Sequence, residues 1–476
     1  MTKKAGNRKT IFPFPLFIFV LFVVSPVYSD FQVNTYTTYM QYSSSVSRNN
    51  NGDFVVVWWG FGSNHGDTSY DSVQGQRFTS NGSFQGSQFQ VNTYTTDGQQ
   101  YPSVNVDNNG DFVVVWTSDG SNYGDTSYDS IQGQRFSSDG SFQGSQFQIN
   151  TYTTDDQHWP AVSIDSEGDF VVVWKSYGSN YGDTNFYSIQ GQRFASDGSF
   201  MGSQFQINTY TTSNQRIPSI SVDSAGDFVV VWRSYGSNYG DTSSFSIQGQ
   251  RFASNGSFQG SQFQVNTYTT NIQYSSAVSR NTNGDFVVVW RSYGSNYGDT
   301  SFDSIQGQRF ASDGSFLGSQ FQVNTYTTHY QQIPSVSVNS EGDFVVVWDS
   351  FGSNYGDEFS YSIQGQRYSS DGSFLGSQFQ VNTYTTLYQR VPSVSSNSDG
   401  DFVVVWQSWG SNYGDTSGYS IQGRQFEQPN AVPTLNHTFT IILFILLGIL
   451  VVMKNKGLLL QQKFNKIKQK LTQDAK

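Results

Sequence analysis

A 58-residue unit repeats seven times between residues 31 and 426, and this periodicity constrains the chain more than any other feature of it. The copies open with FQVNTYTT or FQINTYTT at Phe31, Phe89, Phe147, Phe205, Phe263, Phe321 and Phe379. Each then passes through a GDFVVVW run and an IQGQRF-like run. The pattern within a copy predicts four strands, which in the second copy are PSVNV (102–106), DFVVVW (111–116), IQGQRF (131–136) and QFQIN (146–150). The DFVVVW strand is apolar at five consecutive positions, so both of its faces must be covered. Asn109-Gly110-Asp111 and Asp139-Gly140 supply hairpin turns, and the aperiodic stretch between 116 and 131 predicts a surface loop.

A four-stranded unit with a two-faced apolar strand cannot stand alone, so neighbouring units must share their faces. Counting strands decides between an open stack and a closed ring. The first FQVN precedes any partner, and the last IQGQRF equivalent (421–426) has no FQVN after it. Pairing 31–34 with 421–426 completes every sheet. The reading is an all-β fold: a seven-bladed β-propeller of four-stranded blades over residues 30–428, closed by its N-terminal strand, plus a C-terminal transmembrane helix. The closure resembles the strand exchange of β-propellers such as the WD-repeat family, without that family's sequence signature.

The flanks predict a compartment. Lys3, Lys4, Arg8 and Lys9 precede an apolar run at 11–24, which reads as a signal peptide over 1–29 with cleavage after Ser29. A second apolar stretch at 435–453 reads as a membrane span, and the lysine-rich 454–476 as its cytoplasmic tail. Val432-Pro433-Thr434-Leu435 within the 429–434 linker and the start of the span, followed by the apolar stretch and basic residues, resembles the IPTL-CTERM sorting signal of Gram-negative bacteria. That resemblance implies processing by a sorting enzyme and delivery to the cell surface; the other reading is a plain single-pass anchor. The FVVVW, GQRF and FQVNT units are themselves similar to those of large bacterial surface and haemolysin-like proteins, which implies location more than activity.

Charge agrees with export. Of 25 basic and 36 acidic residues, the leader holds 4 basic and the segment from 430 onward 7 basic and 1 acidic. The propeller therefore keeps 14 basic and 35 acidic residues, a net charge of −21, which repels nucleic acid and anionic lipid. With no cysteine, the exported domain relies on blade packing in place of disulfides.

No catalytic constellation stands out. The histidines, His65, His158, His329 and His437, occupy non-equivalent places, and no nucleophile elbow or phosphate loop occurs. No cofactor is expected; Asp107-x-Asn109-Gly110-Asp111 is an oxygen-rich turn of a kind Ca²⁺ accepts, but it lacks EF-hand spacing and Asx-turns account for it. Antiparallel pairing of the second and third strands predicts structural Asp/Arg pairs, Asp111 with Arg135 and Asp169 with Arg193 among them. The reversed GRQF of the last copy moves Arg424 to the other face of its strand.

Differences between copies concentrate after NTYTT and after the core tryptophan, two places that emerge on one face of a propeller. Inside the first variable stretch one residue never changes: Gln41, Gln99, Gln157, Gln215, Gln273, Gln331 and Gln389. These glutamines either ring the central channel or satisfy a buried group between blades. Tyr101, Trp159, Tyr330, Tyr388 and Trp409 place aromatic rings on the same face, which suits sugars or a protein partner. The leading expectation is a cell-surface module that binds an extracellular glycan or protein and is not an enzyme. The alternatives are a polysaccharide hydrolase or lyase using Asp155, Asp156 or Asp349, and a purely structural envelope protein.

Overall fold

Alternate residues of each FVVVW strand point into two different interfaces, which is why the strand is apolar on both sides. In the computed structural model, Phe112, Val114 and Trp116 pack against Val55 and Val57 of the preceding blade. Val113 and Val115 pack against Phe170, Val172 and Trp174 of the next. The arrangement recurs around the ring, and at the seam Val403 and Val405 meet Phe54, Val56 and Trp58. The structure describes residues 29–61, 70–120, 129–178, 186–236, 244–294, 302–352, 360–410, 418–428, 461–463 and 465–466.

Seven four-stranded antiparallel sheets form the blades of a β-propeller. Strands follow sequence order within six of them, and the seventh is completed by Phe31–Gln32 beside Tyr419–Phe426, with Phe31 opposite Gly423 and Gln32 opposite Gln422. The inner strands touch around the axis: Ser45 Oγ accepts from Val104 N at 3.3 Å, Ser103 Oγ from Val162 N at 3.3 Å, and Ser393 Oγ from Val46 N across the seam at 3.3 Å. The compact propeller unit spans Tyr28–Gln428.

Strand boundaries shift from the sequence reading for local reasons. The inner strand of the second blade runs Gln99–Val106, starting at the invariant glutamine, and its neighbours run Phe112–Asp119 and Asp129–Phe136. The outer strand shortens to Phe147–Gln148. It stops there because Asn150 Oδ1 takes the Ile131 N–H at 2.8 Å, so a side chain replaces the backbone ladder. Glycine is required in the third strand, since a Cβ on Gly75 would lie 2.5 Å from the Phe89 ring laid across it.

The expected Asp/Arg pairs do not form. Register sets Arg135 opposite Val113 and Arg193 opposite Val171, so each guanidinium leaves its own blade. Arg135 Nη1 donates to Ser196 O of the next blade at 2.7 Å, and Arg193 Nη1 to Ser254 O at 2.6 Å. Asp111 and Asp169 instead accept from Ser138 N and Ser196 N, at 2.8 and 2.9 Å, closing the 3–4 hairpin of their own blade. Asp107 Oδ1 accepts from both Asn109 N and Asp111 N at 2.9 Å, an Asx-turn.

The expected leader, the 429–434 linker and the 435–453 span lie outside the described residues, as do His65 and His437. Among the described residues no helix is long and apolar enough to cross a membrane.

Candidate functional site

Both variable stretches open on one face, tied together by backbone bonds from the end of the second strand to the turn before the first. Asp119 N donates to Gly98 O at 2.9 Å, Tyr177 N to Asp156 O at 3.0 Å, and Trp409 N to Tyr388 O at 2.8 Å. Just inside this face each inner strand carries a bulge. There a non-glycine residue adopts positive φ: Tyr101 (54°), Trp159 (56°), Ile217 (56°) and Val391 (54°) are four of them. For β-branched Ile and Val that conformation is strained, and the bulge re-aims the side chains beside it.

The seven glutamines lie under this face and not on it. Each is buried, and its carbonyl accepts the indole N–H of the core tryptophan of its own blade: Trp58 to Gln41, Trp116 to Gln99, Trp232 to Gln215 and Trp348 to Gln331 at 2.8 Å. Trp174 to Gln157 and Trp290 to Gln273 measure 2.9 Å, and Trp406 to Gln389 3.0 Å. The bond is within a blade, not between blades, and the buried indole explains the invariance. Tyr101, Tyr330 and Tyr388 do stand exposed on the face, while Trp159 and Trp409 are half-buried.

What varies systematically is the cross-strand pair formed by the residue after that glutamine and the residue after that tryptophan. Around the ring it reads Tyr42/Trp59, Gln100/Thr117, His158/Lys175, Arg216/Arg233, Tyr274/Arg291, Gln332/Asp349 and Arg390/Gln407. The backbone is the same seven times while the chemistry is different seven times. These residues belong to strands, so attention to loops passes over them; the available signal was variation beside two invariant positions.

At the junction of the second and third blades this ring gathers titratable groups. His158 Nδ1–H donates toward Asp129 Oδ2 at 3.0 Å, and His158 Nε2 lies 3.9 Å from Asp156 Oδ2. Among the described residues these three make the one cluster whose atoms, all within 4.8 Å of one another, have a metal-ligating arrangement, so they are also the residues that would hold a cation. Their distance in sequence hid the cluster, because Asp129 arrives from the neighbouring blade. Asp119 lies in the same cavity of about 290 Å³, with Gln100, Tyr101, Trp159 and Lys175. Partial burial, then the carboxylates of Asp129, Asp97 and Asp156, push the Asp119 carboxyl up from its ordinary value. Lys175 is pushed down to about 8, by burial first and by Arg216 next. Its Nζ sits 4.4 Å from the Trp159 ring centroid and 4.2 Å from that of Tyr187. Tyr101 and Trp159 meet edge to face at 6.2 Å, giving an aromatic wall.

The other acids considered from sequence fall elsewhere. Asp155 is in the turn before His158 with φ of 62°. Asp349 is fully buried in the sixth blade, paired with Arg390 Nε at 3.0 Å. Wider clefts of about 580 and 500 Å³ open on the opposite face around Arg77 and Arg193, but they are lined by repeat-invariant hairpin residues.

No protein-family model and no curated protein sequence matches the chain. Solved structures do. The polysaccharide lyase Uly1 aligns with a TM-score of 0.49 and 8% identity over 84% of this chain and 98% of its own. The α-L-arabinofuranosidase Arb93A of Fusarium graminearum gives 0.44 and 11% over 69% and 93%. The NanB sialidase of Streptococcus pneumoniae gives 0.43 and 10% over 83% and 70%. The expectation that the chain is not an enzyme is corrected here: these similar structures are enzymes, and the asymmetric acid–histidine cluster whose absence supported that expectation is present.

Proposed function

We propose that the chain is an exported enzyme that cleaves a polysaccharide, with its site at the junction of the second and third blades. One observation carries the reading: among seven equivalent junctions, this one sets a histidine between two carboxylates beside a third carboxyl and an aromatic wall. Asp129 orients His158 through Nδ1, leaving Nε2 toward the cavity as a general base. Asp119, which keeps its proton to higher pH than an ordinary carboxylate, is the general acid. Tyr101 and Trp159 offer the apolar faces on which sugar rings stack. Such a pair serves either hydrolysis or β-elimination.

In this proposal the leader is removed after Ser29, and residues 435–453 hold the protein at the cell envelope, or are released after processing near Thr434. Incubating purified protein with a panel of polysaccharides tests the activity. New reducing ends mark cleavage, and ultraviolet absorbance of an unsaturated product separates elimination from hydrolysis. His158→Ala and Asp129→Asn should abolish turnover; undiminished turnover in both would refute the assignment. Cell fractionation tests the location, and full-length protein confined to the cytoplasm would refute it.

A further inference from the structure

We propose that Lys175, Arg216 and Arg233, next to the cleavage site, form a binding site for the anionic group of an acidic polysaccharide, a carboxylate or a sulfate ester. The proposal rests on the reading of this face as a glycan site for the nature of its ligand, but its evidence is separate. Arg216 stands directly opposite Arg233 in the register of the fourth blade. Like charges in that position repel, so a fold selected for packing alone has no reason to place them there. Lys175 joins them from the third blade: its Nζ and the Arg216 guanidinium share the Tyr187 ring, at 4.2 and 4.7 Å from the centroid. Arg233 stacks 4.6 Å from the Phe245 centroid.

The same ring neutralises its other strongly held cations. Arg291 meets Asp303 at 2.6 Å, and Arg390 meets Asp349 at 3.0 Å. Among the described residues no carboxylate lies within ion-pair distance of Lys175, Arg216 or Arg233, and the Nε atoms of both arginines are buried without an acceptor. Aromatic faces offset part of the cost of holding the charges but cannot accept those N–H groups in line. A planar or tetrahedral oxyanion can, and guanidinium forks are shaped for it. Burial and mutual repulsion lower the Lys175 and Arg233 values in the direction that a bound anion would reverse. Because Lys175 is the cross-strand partner of His158, an acidic residue seated here places its neighbouring glycosidic bond beside the histidine.

With a propeller net charge of −21, binding of a polyanion requires a local site and not a general attraction. The full chain in neutral detergent should therefore be titrated with polygalacturonate, dextran sulfate and uncharged dextran. Binding to one or both polyanions, weakening as salt rises, is expected, with dextran unbound. Polygalacturonate alone identifies a carboxylate, dextran sulfate alone a sulfate ester, and both together an anion site tolerant of either. Arg216→Gln/Arg233→Gln should weaken binding at least tenfold while melting no lower than the parent; if the double variant fails to fold, Arg216→Gln alone should show a smaller loss. His158→Ala should still bind. Absence of polyanion binding, equal binding of dextran, or full binding by the arginine variants would overturn the proposal. Salt-sensitive polyanion binding without cleavage would leave it standing and count against the enzymatic reading alone.

Discussion

Thr383 donates both its backbone N–H and its hydroxyl to Asp30 Oδ2, at 2.7 and 2.6 Å, across 353 positions of sequence. At the other junctions the acceptor is the glutamine preceding FQVN or FQIN, as in Thr35 with Gln88 and Thr93 with Gln146, both at 2.8 Å. Asp30 thus takes the glutamine's place where the two ends of the ring meet. It also accounts for the reversed GRQF. Arg424 occupies the inner position held elsewhere by Gln76 and Gln134, donates Nη1 to Val381 O at 2.8 Å, and lies 3.9 Å from Asp30 Oδ1. Gln425 assumes the arginine's task, its amide nitrogen 3.0 Å from Ser80 O on the first blade.

Breaking this latch should cost stability. Arg424→Gln leaves the buried Asp30 without its cation, and a loss of about 2 kcal/mol is expected in thermal denaturation. Deleting 30–37 should lower the melting temperature far more than trimming 427–430. Equal melting of the two truncations would show that closure contributes nothing.

Substituting the invariant glutamine should be felt in the core. Gln99→Ala strands the buried Trp116 indole N–H, for a cost of ~1–3 kcal/mol in urea unfolding. Trp116→Phe combined with Gln99→Leu should cost less than the sum of the two single changes, because the polar pair disappears together. Strict additivity would argue that the bond carries no coupling.

Asp349 makes stability depend on acid pH. Burial pushes its carboxyl up to about 6 from an ordinary 3.8, with Arg390 opposing the shift. The folded state therefore holds the proton that the unfolded state has lost, and the Asp349 contribution to stability falls as pH rises between those values. Asp349→Asn should flatten that slope. Arg390→Gln should steepen it and cost about 3 kcal/mol at neutral pH by leaving the buried carboxylate unpaired. An unchanged pH profile in Asp349→Asn would count against the assignment.

Ligand should engage the face of the variable pairs. Trp159→Ala and Tyr101→Ala are expected to weaken polysaccharide binding by ~1–3 kcal/mol with little change in melting temperature. Asn109→Ala and Asp139→Ala, in hairpins of the opposite face, serve as controls. Loss of binding in the controls and not in the aromatic variants would place the ligand on the other side.

The blade count, the strand order and the seam were legible because they follow from local, repeated constraints. An apolar strand such as 112–116 must be covered on both faces wherever it lies, and a missing partner at each end of the repeat has one available solution. The polar contacts were not legible in the same way. The Asp111–Arg135 pairing failed because one residue of register decides whether a guanidinium meets a carboxylate or reaches the next blade. The burial of Gln99 became visible only with the Trp116 indole folded over it. His158 and Asp129, or Lys175 and Arg216, are ordinary variable residues in the linear chain. They become a site because blade assembly brings strands of different copies side by side, and electrostatic and hydrogen-bond energies depend on that separation in space and not in sequence.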